Sequence, residues 1–166
     1  MHIVTIQDRS VVKVLNYKNI HYARMTDLPE LRAPYKLMQD FYKWRHSPVF
    51  GCVVGKKAEF YGATIENSAI LTLEIPDKYV KLQSYYNWID ILFYLENPKK
   101  WDKPTNFDEY VKNTLNGKST DNPNIEIQAT FPYILPEWLI SYKILDDKSI
   151  KQFIDNNSEQ ILKIWD

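Results

Sequence analysis

The segment 125–145, IEIQATFPYILPEWLISYKIL, constrains the fold most strongly. Two runs rich in β-branched and aromatic residues flank a proline-spaced turn, which predicts two strands. The first run places Glu126 and Gln128 two positions apart, so a carboxylate and an amide share one strand face. That face is either solvated, as in many half-exposed antiparallel sheets, or the wall of an active site.

The remaining chain alternates between strand-like and helix-like patterns. Asp8 and Ser84 are placed to cap helices, Pro34 to begin one, and Gly117 to end one. We predict further strands at 2–7, 19–23, 48–55 and 69–76, and helices at 8–16, 34–45, 84–96, 107–117 and 146–166.

This order of elements predicts a single α+β domain, 1–166, with helices packed on a mixed or antiparallel sheet. A length of 166 residues with 45% hydrophobic residues suits one domain with a sizeable core. We expect the first strand to lie in the same sheet as the late strands.

The composition argues against several classes of protein. The chain has 21 basic residues (lysine and arginine) and 21 acidic residues (aspartate and glutamate), so its net charge does not attract nucleic acid. A local basic patch is still compatible with this balance. Cys52 is the single cysteine and lies in an apolar run, which fits a buried small hydrophobic residue in a reducing cytoplasm. No apolar run approaches the roughly 18 residues of a membrane span. The three histidines lack the spacing of a metal site, and no glycine-rich phosphate loop is present.

Two other segments are rich in aromatic residues. The segment 42–57 combines lysines and Arg45 with Trp44, a mixture that can bind phosphates and stack on a base. The segment 85–101 is dense in aromatic rings, which serve either the core or an interface.

Four phrases occur in order along the chain: TIQ, PYKLMQDFYKWR, LTLEIPDKYVKLQSYYNW and IQATFPYILPEWL. Together they resemble a family of small uncharacterised bacterial proteins that open with a Thr-Ile-Gln strand. The resemblance covers nearly the whole chain but brings no established chemistry. The opening order of strand, capped helix and short strand is also similar to the NAD-binding entrance of ADP-ribosyltransferases of the histidine–tyrosine–glutamate type.

In those enzymes a His or Arg on the first strand holds the nicotinamide ribose, and an aromatic ring packs on the nicotinamide. A Glu at the start of a late strand contacts the ribose 2′-hydroxyl. The resemblance implies that Thr5, Tyr35 and Gln128 occupy these positions. Thr5 departs from His or Arg, and Gln128 can orient a hydroxyl but cannot act as a base. Glu126 would then take the acidic role.

The resemblance therefore predicts an NAD-binding, ADP-ribosyltransferase-like protein that modifies a macromolecule, as in toxin or phage-conflict systems. We expect Thr5 and Gln7 to face the polar side of a neighbouring late strand across a cleft. Arg24 or Arg45 would bind the pyrophosphate.

Two other functions stay open. One is a non-enzymatic binding module, such as an inhibitor or antitoxin-like protein, that uses the aromatic surface of 85–101. The other is an RNA-binding protein that uses the basic cluster near Arg45.

Overall fold

The computed structural model describes residues 1–56, 67–118 and 126–145. These residues form a six-stranded antiparallel sheet with helices packed on it, which confirms the α+β prediction. The predicted helix at 146–166 lies outside the described residues. The elements are β1 (His2–Asp8), α1 (Ser10–Asn16), α2 (Pro29–Tyr42), β2 (Val49–Val53), β3 (Ser68–Glu74), β4 (Lys81–Ser84), α3 (Tyr85–Glu96), α4 (Phe107–Leu115), β5 (Ile127–Phe131) and β6 (Leu139–Ile144).

The strand order is β4-β5-β2-β1-β3-β6. The first strand therefore shares a sheet with both late strands, as predicted. However, β2 separates β1 from β5, so the expectation that these two strands are neighbours is wrong. The chain leaves β5 near one edge and crosses through 132–138 to reach β6 at the other edge.

The sheet divides between β1 and β2. β1 pairs with β3 along its whole length, but it pairs with β2 only at Ile3–Val53 and Val4–Cys52. Immediately beyond this short ladder, the Oγ1 atom of Thr5 donates a hydrogen bond to the backbone oxygen of Phe50 at 2.6 Å. Two half-sheets, β4-β5-β2 and β1-β3-β6, therefore meet along a short junction.

Apolar side chains cover both faces of this sheet. One cluster joins the inner faces of β1, β3 and β5 with α1 and with Trp138 of the crossing segment. A second cluster lies between α2, α3 and α4, and Phe50 of β2 packs against it. Burial on both faces accounts for the continuous apolar run of β2.

Several predicted boundaries differ from the structure. Helix α2 begins at Pro29 rather than Pro34, because Pro29 takes the first helical position. Pro34 lies inside the helix, where it has no N–H to donate to the backbone oxygen of Glu30. β4 was not predicted, because its sequence, KLQS, is mostly polar and it forms through pairing with β5. The predicted strand at 19–23 is reduced to two isolated backbone pairings, at His21 and Ala23.

The predicted helix ends at Ser84 and Gly117 are confirmed. The Ser84 hydroxyl accepts a hydrogen bond from the Asn87 backbone N–H at the start of α3. Gly117 has a positive φ of 73° just after α4. Among the described residues, no helix has the length and apolar character needed to cross a bilayer.

Candidate functional site

A groove of about 500 Å³ opens between the loop after α1 and the end of α2. Backbone pairing between Ala23 and Ser47 connects its two walls. The volume lies within the range of about 300–1,000 Å³ that is usual for small-molecule sites. The lining residues are Tyr22, Ala23, Arg24, Met25, Gln39, Arg45, His46 and Ser47.

The groove carries two arginines from different segments. The side chains of Arg24 and Arg45 are exposed, and within the described residues neither forms an ion pair with a carboxylate. Beside them, burial lowers the pKa of His21 and the charge of Arg24 lowers it further, so this imidazole is neutral at pH 7. The groove therefore presents two cations that are available to an anionic ligand.

Two aromatic side chains contact each other in the groove. The Tyr22 and His46 rings lie 4.3 Å apart between centroids, at an interplanar angle of 33°. Tyr22 is 41% exposed, so solvent reaches part of this pair.

Thr5 and Gln7 lie at the junction of the half-sheets. Thr5 is fully buried, and its Oγ1 atom accepts a hydrogen bond from the Gln7 Nε2 atom at 2.7 Å while donating to Phe50. The two residues oppose Leu71 and Ala69 of β3. In this conformation the Thr5 hydroxyl hydrogen-bonds to other groups of the protein, and its bond to Phe50 links the two half-sheets.

Tyr35 lies on α2, one helical turn before Gln39 of the groove. Its ring centroid is 5.4 Å from that of Phe50, and burial raises the pKa of its hydroxyl. Phe50 is also the residue whose backbone oxygen accepts the Thr5 hydrogen bond. Tyr35 therefore packs on Phe50 at the sheet junction, and the helix that carries Tyr35 also carries Gln39 of the groove.

Gln128 belongs to a polar row that crosses one half-sheet. It opposes Cys52 on β2 and Gln83 on β4, and the Gln83 Nε2 atom donates to the Gln128 Oε1 atom at 3.0 Å. Gln83 is fully buried, and its Oε1 atom has no hydrogen-bond partner among the described residues. Because Gln128 itself is only partly buried, it is the member of this row that solvent reaches.

Glu126 precedes β5 and is only 1% exposed, so the expectation of a solvated strand face is wrong at this residue. Its backbone oxygen accepts a hydrogen bond from the Tyr85 N–H. Burial raises the pKa of the Cys52 thiol to about 12, with a further contribution from the Glu126 charge. Cys52 is therefore a protonated, buried thiol, as the sequence indicated, and not an activated nucleophile.

The predicted site residues fall into groups. Arg24 and Arg45 line one groove, as described above. The register Val4–Cys52–Gln128 places Gln128 on the sheet face opposite to that of Thr5, because Thr5 alternates with Val4 along β1.

Gln7 shares the face of Thr5, since it lies two residues further along the same strand. Tyr35, in contrast, reaches the face of Gln128, because its partner Phe50 alternates with Gly51 and is on the same side as Cys52. The expected cleft with all four polar strand residues on one face is therefore not formed. Tyr35 and Gln128 share a face, whereas Thr5 lies on the other face and is linked to Tyr35 through Phe50.

The aromatic segment 85–101 is divided between core and surface. Tyr85 and Trp88 are buried. Phe93 and Trp101 stack with centroids 4.8 Å apart, and Trp101 remains 39% exposed beside a second groove of about 660 Å³. The segment thus contributes Tyr85 and Trp88 to the core, and Tyr86 and Trp101 to the surface.

Sequence reasoning missed three residues of these sites: Tyr22, His46 and Gln83. Tyr22 lies two positions before Arg24 in HYAR, a ring next to a cation that could have been noticed. The contact of Tyr22 with His46 depends on the pairing of Ala23 with Ser47, which the sequence does not reveal. Gln83 was missed together with its strand.

Comparison of the chain with protein-family models, with curated proteins and with solved structures gives no match. In the described part of the chain, no group of three or more His, Cys, Asp or Glu side chains is close enough to hold a metal ion.

Proposed function

We propose that the protein binds NAD in the groove and transfers its ADP-ribose to a macromolecule. The observation that carries this proposal is the convergence of Arg24 and Arg45 on one groove beside the helix that holds Tyr35. Guanidinium groups bind phosphate oxygens through paired, charge-assisted hydrogen bonds. Two of them without carboxylate partners in the described part of the chain suit a pyrophosphate.

The groove also has the features that the rest of a dinucleotide requires. The exposed Tyr22 ring, supported by His46, offers a stacking surface for a base. Gln39 is 8% exposed at the groove wall, where its amide can hydrogen-bond a ribose or a base edge. These groups support a nucleotide as ligand.

The proposed reaction breaks the bond between the nicotinamide nitrogen and ribose C1. Nicotinamide leaves with the electron pair, while an oxygen or nitrogen of the acceptor bonds to C1 and loses its proton. Glu126 is 1% exposed in this conformation, so it would have to become accessible to stabilise the positive charge that develops on the ribose and to take up that proton. Gln128 would orient a ribose hydroxyl, on the sheet face that Phe50 and Tyr35 share.

The test uses labelled NAD with cell extract and four proteins: wild type, Glu126→Gln, Gln128→Ala and Gln128→Glu. We expect wild type to label a macromolecule and Glu126→Gln to lose labelling. Gln128→Ala should lower the rate about tenfold, the effect of one modest hydrogen bond. Gln128→Glu should raise the rate, because it adds a charge beside the developing cation.

Glu96→Gln is the matched control, because Glu96 is an exposed carboxylate at the end of α3. Circular dichroism must show that Glu126→Gln is folded, since Glu126 is buried. Equal labelling by wild type and Glu126→Gln would remove Glu126 from the mechanism. Absence of labelling by every protein, Gln128→Glu included, would contradict the transferase proposal.

A second function, a non-enzymatic protein-binding module, is favoured by one observation. The exposed Trp101 is stacked on Phe93, and the Lys100 Nζ atom lies 5.1 Å from the Trp101 ring centroid. A rigid, partly exposed aromatic residue next to a groove is the usual anchor of a protein interface. The binding-module function is favoured over the transferase function if NAD neither binds the protein nor changes its thermal stability.

A further inference from the structure

The edge strand β6 carries a row of exposed apolar side chains. It lies outside β3 in the sheet, and in the described part of the chain no strand pairs with its outer side. Ile140, Tyr142 and Ile144 are 52%, 46% and 42% exposed, and their spacing of two places them on one side of the strand. An edge strand with such a row is a template for pairing with a further strand.

The pairing of β6 with β3 determines which backbone groups of β6 are open. The Leu145 N–H donates to the Ser68 oxygen at 2.9 Å, directly opposite in the register. In an antiparallel ladder, residues that bond to the neighbouring strand alternate with residues whose N–H and C=O groups point away from it. The backbone groups of Tyr142 and Ile144 therefore point to the open edge. The irregularity in this ladder lies before Ser141, so the open stretch is regular.

The sequence of β6 is nearly the same in both directions. Residues 139–145 read LISYKIL, and only Ser141 and Lys143 break the symmetry about Tyr142. Two antiparallel copies centred on Tyr142 would place Ile140 of each copy opposite Ile144 of the other. Lys143 would lie opposite Ser141, so like charges do not meet. Apolar side chains directly opposite each other stabilise an antiparallel pair.

We propose that β6 binds the β6 strand of a second copy of this chain, antiparallel and centred on Tyr142, so that two sheets join into one in a symmetric dimer. The outward N–H and C=O groups of the two Tyr142 residues then form two mutual hydrogen bonds. A twofold interface requires a self-complementary patch, and the nearly symmetric sequence supplies it. None of the groove residues lies on β6, so the pairing leaves the proposed NAD site open.

Other registers between two copies are less favourable. Centring the pair on Lys143 would place two ammonium groups opposite each other, and the alternation of the ladder directs the Lys143 backbone groups to β3. A slip of one residue would place outward backbone groups opposite inward ones and would move the apolar row to the other face of the partner strand. The Tyr142-centred register is therefore the one that we test.

The test is sedimentation velocity of the 166-residue chain over a range of micromolar concentrations, without NAD. We expect wild type to form a dimer whose share rises with concentration. Ile140→Lys/Ile144→Lys places like charges opposite each other in both flanking pairs, so the dissociation constant should rise about tenfold. Ile140→Lys/Ile144→Glu places opposite charges in the same pairs and should dimerise about tenfold more tightly than the double-lysine variant.

Tyr86→Lys is the control, because Tyr86 is 53% exposed on α3, which follows the strand at the opposite edge of the sheet. It should dimerise like wild type, and circular dichroism checks that every variant is folded. A wild type that stays monomeric would overturn the proposal and would indicate that another segment or another partner covers β6. A double-lysine variant that associates like wild type, or double variants that associate equally, would also overturn it. NAD binding is measured separately, so its failure bears on the proposed function alone.

Discussion

Gly51 determines how closely the two half-sheets approach each other. A Cβ atom at this position would lie 2.6 Å from the Ile3 Cγ2 atom and 2.9 Å from the Val4 backbone oxygen. Both neighbours belong to β1, in the short ladder that joins β1 to β2. The absence of a side chain therefore allows the contact on which the junction depends.

Gly51→Ala should destabilise the protein by about 1–3 kcal/mol, because the added methyl group forces β2 away from a backbone oxygen that cannot rotate aside. Urea unfolding followed by circular dichroism measures the change. Gly55→Ala is the comparison. It meets no atom within 4 Å, although its positive φ of 80° adds some strain, about 1 kcal/mol. A Gly51→Ala protein as stable as wild type would contradict the described junction.

Secondary-structure elements with local signals were predictable from the sequence, and elements that depend on distant partners were not. α3 has its cap at Ser84 and α4 has Gly117 after its last turn, and both were found because these signals lie within the element. β4 was missed because pairing with β5, more than 40 positions away, makes it a strand.

The candidate site follows the same pattern. Tyr35 became a candidate through the resemblance to ADP-ribosyltransferases, and Arg45 through the mixture of basic and aromatic residues around it. The approach of Arg24 to Arg45 could not be predicted, because it results from the pairing of Ala23 with Ser47. The sheet face on which the Thr5 side chain lies also could not be predicted, because it depends on the register of β1 with β3 and on the order of strands.

Ser84→Ala should lower the free energy of unfolding by about 1 kcal/mol, because the Asn87 N–H at the start of α3 loses its side-chain acceptor. Chemical denaturation monitored by tryptophan fluorescence suits this variant, since Trp88 is buried on the same helix. Ser141→Ala on the exposed edge strand β6 is the matched control and should change little. Equal losses in the two variants would contradict the capping role.

At the scale of the whole molecule, one arrangement connects the fold to the proposed function. The half-sheets meet at Thr5 and Phe50, Tyr35 packs on Phe50, and the helix of Tyr35 leads to the groove. At the groove, two segments on either side of α2 bring Arg24 and Arg45 together. The central claim is that this groove binds the pyrophosphate of a dinucleotide.

Isothermal titration calorimetry with NAD tests this claim most directly. We expect wild type to bind in the micromolar to millimolar range, about −4 to −8 kcal/mol. The double variant Arg24→Gln/Arg45→Gln should bind at least tenfold more weakly, because it loses charge-assisted hydrogen bonds to phosphate. Arg9→Gln, an exposed arginine outside the groove, should bind like wild type. Absence of heat with wild type, or equal affinity in the double variant and in Arg9→Gln, would contradict the claim.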